Sequence, residues 1–201
     1  MRQWQVGILL FNEVEVMDFA GPFEVFSIAR YPGHPDGDAV KPFVVKTVAQ
    51  TKELIKTRYQ LQVLPDFDFG AAPPFDILII PGGYGAEEVE IRNPKLIAWI
   101  QQRAQQVQLL ASVCTGAFLL AEAGLLDGKR ATTHWLDIDR LAGEYPRVSV
   151  QRGVKYVDEG SVMTAGGISA GINLSFYIME KLLGAAIAQT AARRMEYDLP
   201  Q

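Results

Sequence analysis

The sequence predicts an α/β fold, a mostly parallel β-sheet with helices on both faces. Three observations carry that expectation. Apolar runs of strand length recur, at Gln5–Phe11, Phe43–Ala49, Asp76–Ile80 and Val107–Val113. They are nearly continuous rather than alternating, the pattern of strands buried on both faces. Between them lie segments with apolar residues at helical spacing, and strands that alternate with helices assemble into parallel sheets.

Gln5–Phe11 is the first strand. Phe19, Phe23 and Phe26 then share a helical face, with Asp18 placed to cap the helix. Pro32, Gly33, Pro35 and Gly37 make Tyr31–Lys41 a loop, in which His34 is expected to be solvated. Phe43–Ala49 is the second strand, and Leu54–Leu64 alternates enough for a hairpin or an edge strand. Asp76–Ile80 is a central strand stopped by Pro81-Gly82-Gly83. Asn93 and Pro94 read as the N-cap and first residue of a helix whose apolar face holds Leu96, Ile97, Ile100 and Ala104. Val107–Val113 is a buried strand, and the helix over Thr115–Gly124 is closed by its glycine. Turns at Gly124 and Asp127-Gly128 lead to a short strand over Arg130–Thr133 and a helix over Trp135–Ala142. Val148–Val150 and Tyr156-Val157 are strand pieces, Asp158-Glu159-Gly160 is a turn, and Ser161–Ala165 is the last strand. Helices over Ser169–Leu183 and Ala185–Met195 follow.

The 201 residues are 49% hydrophobic and 21% charged, enough for one α/β domain spanning 1–201 with a substantial core. A net charge of −4 argues against nucleic acid as a partner, since that needs a clustered basic face. No apolar stretch approaches membrane-spanning length, so no membrane partner is expected. The first strand follows Met1 without a signal-like leader, and one cysteine rules out an internal disulfide; both fit a cytoplasmic protein. One cysteine and two histidines are too few for a His/Cys metal site, so no metal is expected.

Cys114 stands between a buried strand and a buried helix, at a sharp turn of the nucleophile-elbow kind. Lone cysteines mostly behave as small buried hydrophobes; the strand–Cys–helix setting makes this one a candidate nucleophile that attacks an electrophilic carbon. Free N–H groups at the helix start favour its thiolate. Asp18 either caps the first helix or turns its carboxyl toward the thiol. Beside a thiolate its pKa would rise, leaving it able to donate a proton and then activate water. Gly82 and Gly83 form a strand-ending turn or bring N–H groups to a developing anion. Thr115 offers its N–H to the pocket and its hydroxyl to the thiolate or substrate, or simply packs. His134 is a proton shuttle for Cys114 or a cap for the following helix. Gly166-Gly167-Ile168-Ser169-Ala170-Gly171 has the glycines of a phosphate loop without its lysine, and is expected to be a close helix–sheet contact near the pocket or a dimer seam.

Several stretches together resemble the ThiJ/PfpI superfamily over nearly the whole chain. They are Asp18-Phe19-Ala20-Gly21-Pro22, Ile80-Pro81-Gly82-Gly83, Ser112-Val113-Cys114-Thr115-Gly116, Gly128–Trp135 and Gly166–Gly171. The resemblance implies a flavodoxin-like sandwich, a homodimer and a cysteine at a strained elbow. Thr115 stands where family peptidases carry His, which disfavours proteolysis. Asp18 stands where the glyoxalase- and deglycase-like branch carries Glu. Asp in that position with Cys-Thr-Gly is most similar to isonitrile hydratases, which implies hydration of a small isocyanide to a formamide without a cofactor. Asn173 departs from that branch, where Asp is usual, with an altered dimer contact or supporting bond as the implied consequence. The domain is also similar to the sensing half of AraC-type regulators, whose helix-turn-helix would have to follow Gln201. A third expectation is redox response through oxidation of Cys114 to a sulfinate.

Overall fold

The structure, a computed structural model, describes residues 2–31 and 41–199. The expected loop between Tyr31 and Lys41, with His34, lies almost wholly outside the described residues. In chain order the elements are β1 (Trp4–Leu9), α1 (Val16–Ile28), β2 (Phe43–Ala49), β3 (Ile55–Lys56), β4 (Gln62–Val63), β5 (Phe67–Asp68) and β6 (Ile77–Ile80). A π-helical turn (Gly85–Val89) and a 3-10 turn (Glu90–Arg92) lead to α2 (Pro94–Ala104), β7 (Leu109–Val113) and α3 (Gly116–Glu122). Then come β8 (Arg130–Ala131), a 3-10 turn (Trp135–Asp137), α4 (Ile138–Glu144), β9 (Ser149–Val150), β10 (Tyr156–Asp158), β11 (Val162–Ala165), α5 (Ala170–Leu183) and α6 (Ala185–Arg194).

Seven strands form one sheet in the order β10-β11-β7-β6-β1-β2-β5. Every neighbour pair in it is parallel except β10 with β11. All residues of β6 and β7 are buried, as their unbroken apolar runs require of central strands. From β1 the chain crosses to β2 on one side, and from β6 to β7 on the other. The winding reverses between β1 and β6, and a crevice opens there at the carboxyl ends of the strands. Asp18, Gly82 and Cys114 follow β1, β6 and β7 in turn, so the topology gathers them at one end of the sheet.

Two glycine contacts set the depth of that end. A Cβ on Gly116 would lie 2.2 Å from the Ile80 carbonyl oxygen, and one on Gly82 would lie 2.5 Å from the Thr115 nitrogen. The loops after β6 and β7 therefore meet backbone to backbone. Gly171 likewise brings the start of α5 onto Val113, where a Cβ would be 2.8 Å from Cγ1. The glycine stretch 166–171 is thus the helix–sheet contact its composition suggested.

Several expectations need correction. α1 starts at Val16, with Glu15 in the N-cap position making no side-chain cap; Asp18 is not a cap but lies one turn inside. Phe19 and Phe26 are buried while Phe23 is 37% exposed, so Phe23 is not core. Leu54–Leu64 does contain a hairpin, but β3 and β4 pair only with each other. Arg130–Thr133 contributes β8, which pairs with β9 outside the main sheet. The single helix expected over Trp135–Ala142 divides into a 3-10 turn and α4. The short edge strand β5 carried no recognisable signal. Among the described residues no helix is long and apolar enough to cross a membrane.

Substituting Gly116 by Ala should cost about 1–3 kcal/mol, because backbone on the far side cannot yield. Gly143→Ala, at an exposed position of α4 where a Cβ would meet nothing within 4 Å, should instead gain about 0.5–1 kcal/mol. Urea denaturation of the two variants checks both signs.

Candidate functional site

Cys114 occupies the left-handed region, with φ 56°, a conformation that costs a non-glycine residue roughly 1–2 kcal/mol. Its backbone is held there from both sides. The Cys114 N–H is shared between the Ala165 carbonyl at 3.2 Å and the Gly166 carbonyl at 3.0 Å. The buried Thr133 hydroxyl donates to the Cys114 carbonyl at 2.9 Å. The β7–β11 pairing, which sets Val113 opposite Ala165, delivers the first two acceptors. The side chain is only 6% exposed, and that exposure faces a cavity of about 290 Å³. The backbone N–H groups of Thr115 and Ile168 lie near enough to the sulfur to favour its thiolate.

Asp18 is fully buried behind this thiol. Its Oδ2 accepts from the Gly82 N–H at 3.0 Å, while Oδ1 has no hydrogen-bond partner. Burial pushes its pKa from the ordinary carboxylate range up to about 7; the Glu15 charge adds to the rise, and the Gly82 N–H and the Cys114 thiol oppose it. Burial and the Asp18 charge push the thiol up as well, against the pull of the Thr115 and Ile168 N–H groups. The two groups are coupled: the thiol favours the Asp18 carboxylate, while that carboxylate's charge disfavours the thiolate. The expectation of a thiolate favoured by the helix start is therefore revised. α3 has only seven residues, and loss of hydration outweighs its dipole.

The glycine pair is placed at the site, but its donors are already engaged. Gly82 donates to Asp18, and Gly83 donates to Thr115 Oγ1 at 2.9 Å. The expectation that these N–H groups face an anion gives way to a clamp that fixes the acid and the threonine. Thr115 Oγ1 also donates to the Gly83 carbonyl at 3.3 Å, so its hydroxyl is engaged by the Gly83 backbone. Gly83 has φ 114°, and a Cβ there would lie 2.4 Å from the Glu15 nitrogen; only glycine fits.

His134 lines the cavity and also caps the turn after it. Its Nδ1 accepts from the Leu136 N–H at 3.4 Å and lies 3.4 Å from Asp137 Oδ2. A Cβ on Gly167 would overlap its ring, so that glycine makes room for the imidazole. Sequence reasoning missed six wall residues: Glu15, Arg58, Tyr59, Glu87, Leu136 and Asp137. Glu87 hangs from the π-helical turn and pairs with Arg140 at 3.5 Å, and burial raises its pKa. Arg58 comes from the β3–β4 hairpin. That hairpin is tied to the β1–α1 loop by bonds from Glu13 N–H to the Lys56 carbonyl (2.8 Å), Lys56 N–H to Asn12 Oδ1 (2.9 Å) and Arg58 N–H to the Val14 carbonyl (3.1 Å). Asn173, the departure noted above, is buried and donates to the Tyr197 hydroxyl at 2.9 Å.

A parallel sheet with an elbow cysteine and a buried acid at its topological switch defines a class of α/β proteins. Residues 4–181 match the DJ-1/PfpI family, and the chain belongs to it. It is 33% identical over 195 residues to an isonitrile hydratase from Pseudomonas putida, a match that covers 96% of this chain and 78% of the relative. It is 34% identical over 122 residues to the HTH-type transcriptional regulator CdhR of Pseudomonas aeruginosa, covering 59% of this chain and 35% of the regulator. A ThiJ/PfpI family protein from Pseudomonas syringae superposes with a TM-score of 0.86 at 26% identity, over 100% of this chain and 78% of that one.

Asp18 sets a sign for pH dependence. Its folded pKa of about 7 exceeds the 3.8 of an unperturbed aspartate, so the folded state holds this proton more tightly. The contribution is full below about pH 4 and is lost as pH rises through 7. Wild-type stability should fall between pH 4.5 and 7.5 by an amount on the order of 2–4 kcal/mol more than that of Asp18→Asn. Denaturant titrations of both proteins at the two pH values measure that difference.

Proposed function

We propose that this chain is a cysteine-dependent hydratase that adds water to an isocyanide and releases an N-substituted formamide. The observation that carries the reading is a buried carboxyl, able to hold a proton near neutral pH, directly behind a cavity-facing thiol. The 33%-identical isonitrile hydratase supports it. In the proposed reaction the Cys114 sulfur bonds to the terminal isocyanide carbon as its proton passes to Asp18. The same proton then moves from Asp18 to that carbon, leaving a thioimidate, R–N=CH–S–Cys114. Water adds to the carbon, the nitrogen is protonated, the C–S bond breaks, and R–NH–CHO departs. Thr115 and Ile168 N–H groups stabilise negative charge on sulfur in both directions. Gly82 and Gly83 hold Asp18 and Thr115 in register, and His134 borders the substrate. The reaction as written needs no cofactor. A cytoplasmic homodimer without a nucleic-acid partner completes the reading.

A small-molecule sensor is the second reading, supported by the likeness to part of a transcriptional regulator. Redox sensing draws less support, because a buried thiol with a raised pKa forms little of the thiolate that oxidants attack.

Formamide production from simple alkyl isocyanides tests the hydratase. Cys114→Ala should abolish it, and Asp18→Asn should lower kcat about 100-fold or more. No turnover above background across several isocyanides would sink the assignment. A metabolite that shifts the melting temperature without being consumed would then favour the sensor.

A further inference from the structure

The hydratase reading leaves one role open. Asp18 lies behind the sulfur, fully buried, whereas the water that resolves the thioimidate must arrive from the cavity side. A base for that water has to line the cavity and have its lone pairs free. Three carboxylates line it: Glu15, Glu87 and Asp137. Glu87 is 3.5 Å from Arg140 Nη1, and Asp137, 3.4 Å from the His134 Nδ1 that accepts the Leu136 N–H, sits on the 3-10 turn and not on the segment that carries Asp18. Glu15 differs from both. It is 9% exposed, and its carboxylate has neither an ion pair nor a hydrogen bond among the described residues.

Its position explains how it stays free. Glu15 holds the N-cap site of α1, yet its side chain makes no capping bond. Its backbone is fixed instead: the Glu15 N–H donates to the Gly82 carbonyl at 2.9 Å, and its own carbonyl accepts from the Asp18 N–H at 3.2 Å. Gly83 passes so close to the Glu15 nitrogen that a Cβ would lie 2.4 Å away. The residue is thus locked to the loop that also clamps Asp18, one helical turn from it, with its charge near enough to raise the Asp18 pKa. Arg58, at the tip of the tethered hairpin, contributes the cationic part of the same wall.

We propose, building on the hydratase reading, that Glu15 is a catalytic residue of the second half-reaction, the general base that activates the resolving water. In that step the Glu15 carboxylate removes one proton from water and the hydroxide oxygen bonds to the thioimidate carbon. The C=N electron pair goes to nitrogen, which takes the proton now on Glu15. Loss of the hydroxyl proton to Glu15 and cleavage of the C–S bond then return the Cys114 sulfur, which recovers that proton. The division of labour follows the geometry: Asp18 serves the sulfur side, and Glu15 serves the cavity side.

Intact-mass spectrometry during turnover of an alkyl isocyanide separates the two half-reactions. In Glu15→Gln, adduct formation should continue while its hydrolysis slows about 100-fold or more, the usual worth of a general base. Cys114 should then carry the mass of one isocyanide in most molecules. Glu15→Ala should trap the same adduct, and added formate should speed its release, since a small carboxylate fits the space vacated. Circular dichroism establishes that both variants are folded. Turnover of Glu15→Gln within threefold of wild type would overturn the proposal. So would a slowed variant with no accumulated adduct, the result expected if Glu15 acted only on Asp18. If wild type forms neither adduct nor formamide, the hydratase reading itself fails.

Discussion

The bond from the Gly82 N–H to Asp18 Oδ2 is the interaction on which the rest of this site depends. At 3.0 Å it joins the segment after β1 to the segment after β6, across the point where the sheet reverses its winding. A carboxyl stripped of water needs a partner, and one backbone donor satisfies only one of its oxygens. The other oxygen is left bare, next to the thiol. Burial raises the proton affinity of both groups, and the Asp18 charge raises that of the sulfur further. On the hydratase reading, the pair passes a proton between its members rather than displaying a preformed thiolate.

That conclusion changes what the elbow does. A short helix start offers Cys114 a few N–H groups, but the dominant physics at this sulfur is burial. The strained backbone at Cys114 is held by Thr133 and by the carbonyls of Ala165 and Gly166, which come from separate stretches of chain. The glycine pair after β6 serves the same end. Its N–H groups are consumed in positioning Asp18 and Thr115, and its missing Cβ atoms let the loops close over each other.

Much of this was legible in the residues. Unbroken apolar runs located β6 and β7, and the strand–Cys–helix junction located the elbow, because burial on both faces leaves a plain compositional mark. The acid could be named from its place after the first strand. The wall of the cavity could not. Arg58 reaches it through a hairpin whose anchors, Asn12, Glu13 and Val14, are distant in sequence. Glu15 looked like an ordinary loop residue before a helix, since nothing in the sequence shows that its side chain declines to cap. The raised thiol pKa was also hidden, because desolvation depends on chain brought in from elsewhere, such as the loop that carries Ile168, rather than on neighbours in the chain.

The proton affinity of Asp18 is the quantity that most directly tests this account. The carboxyl carbon of Asp18 can be followed by NMR in protein labelled with 13C-aspartate, assigned through Asp18→Asn. Shared burial with the thiol predicts a midpoint near 7. A midpoint near 3.8, the value of an unperturbed aspartate, would contradict the proton-sharing pair and with it the role given to Cys114.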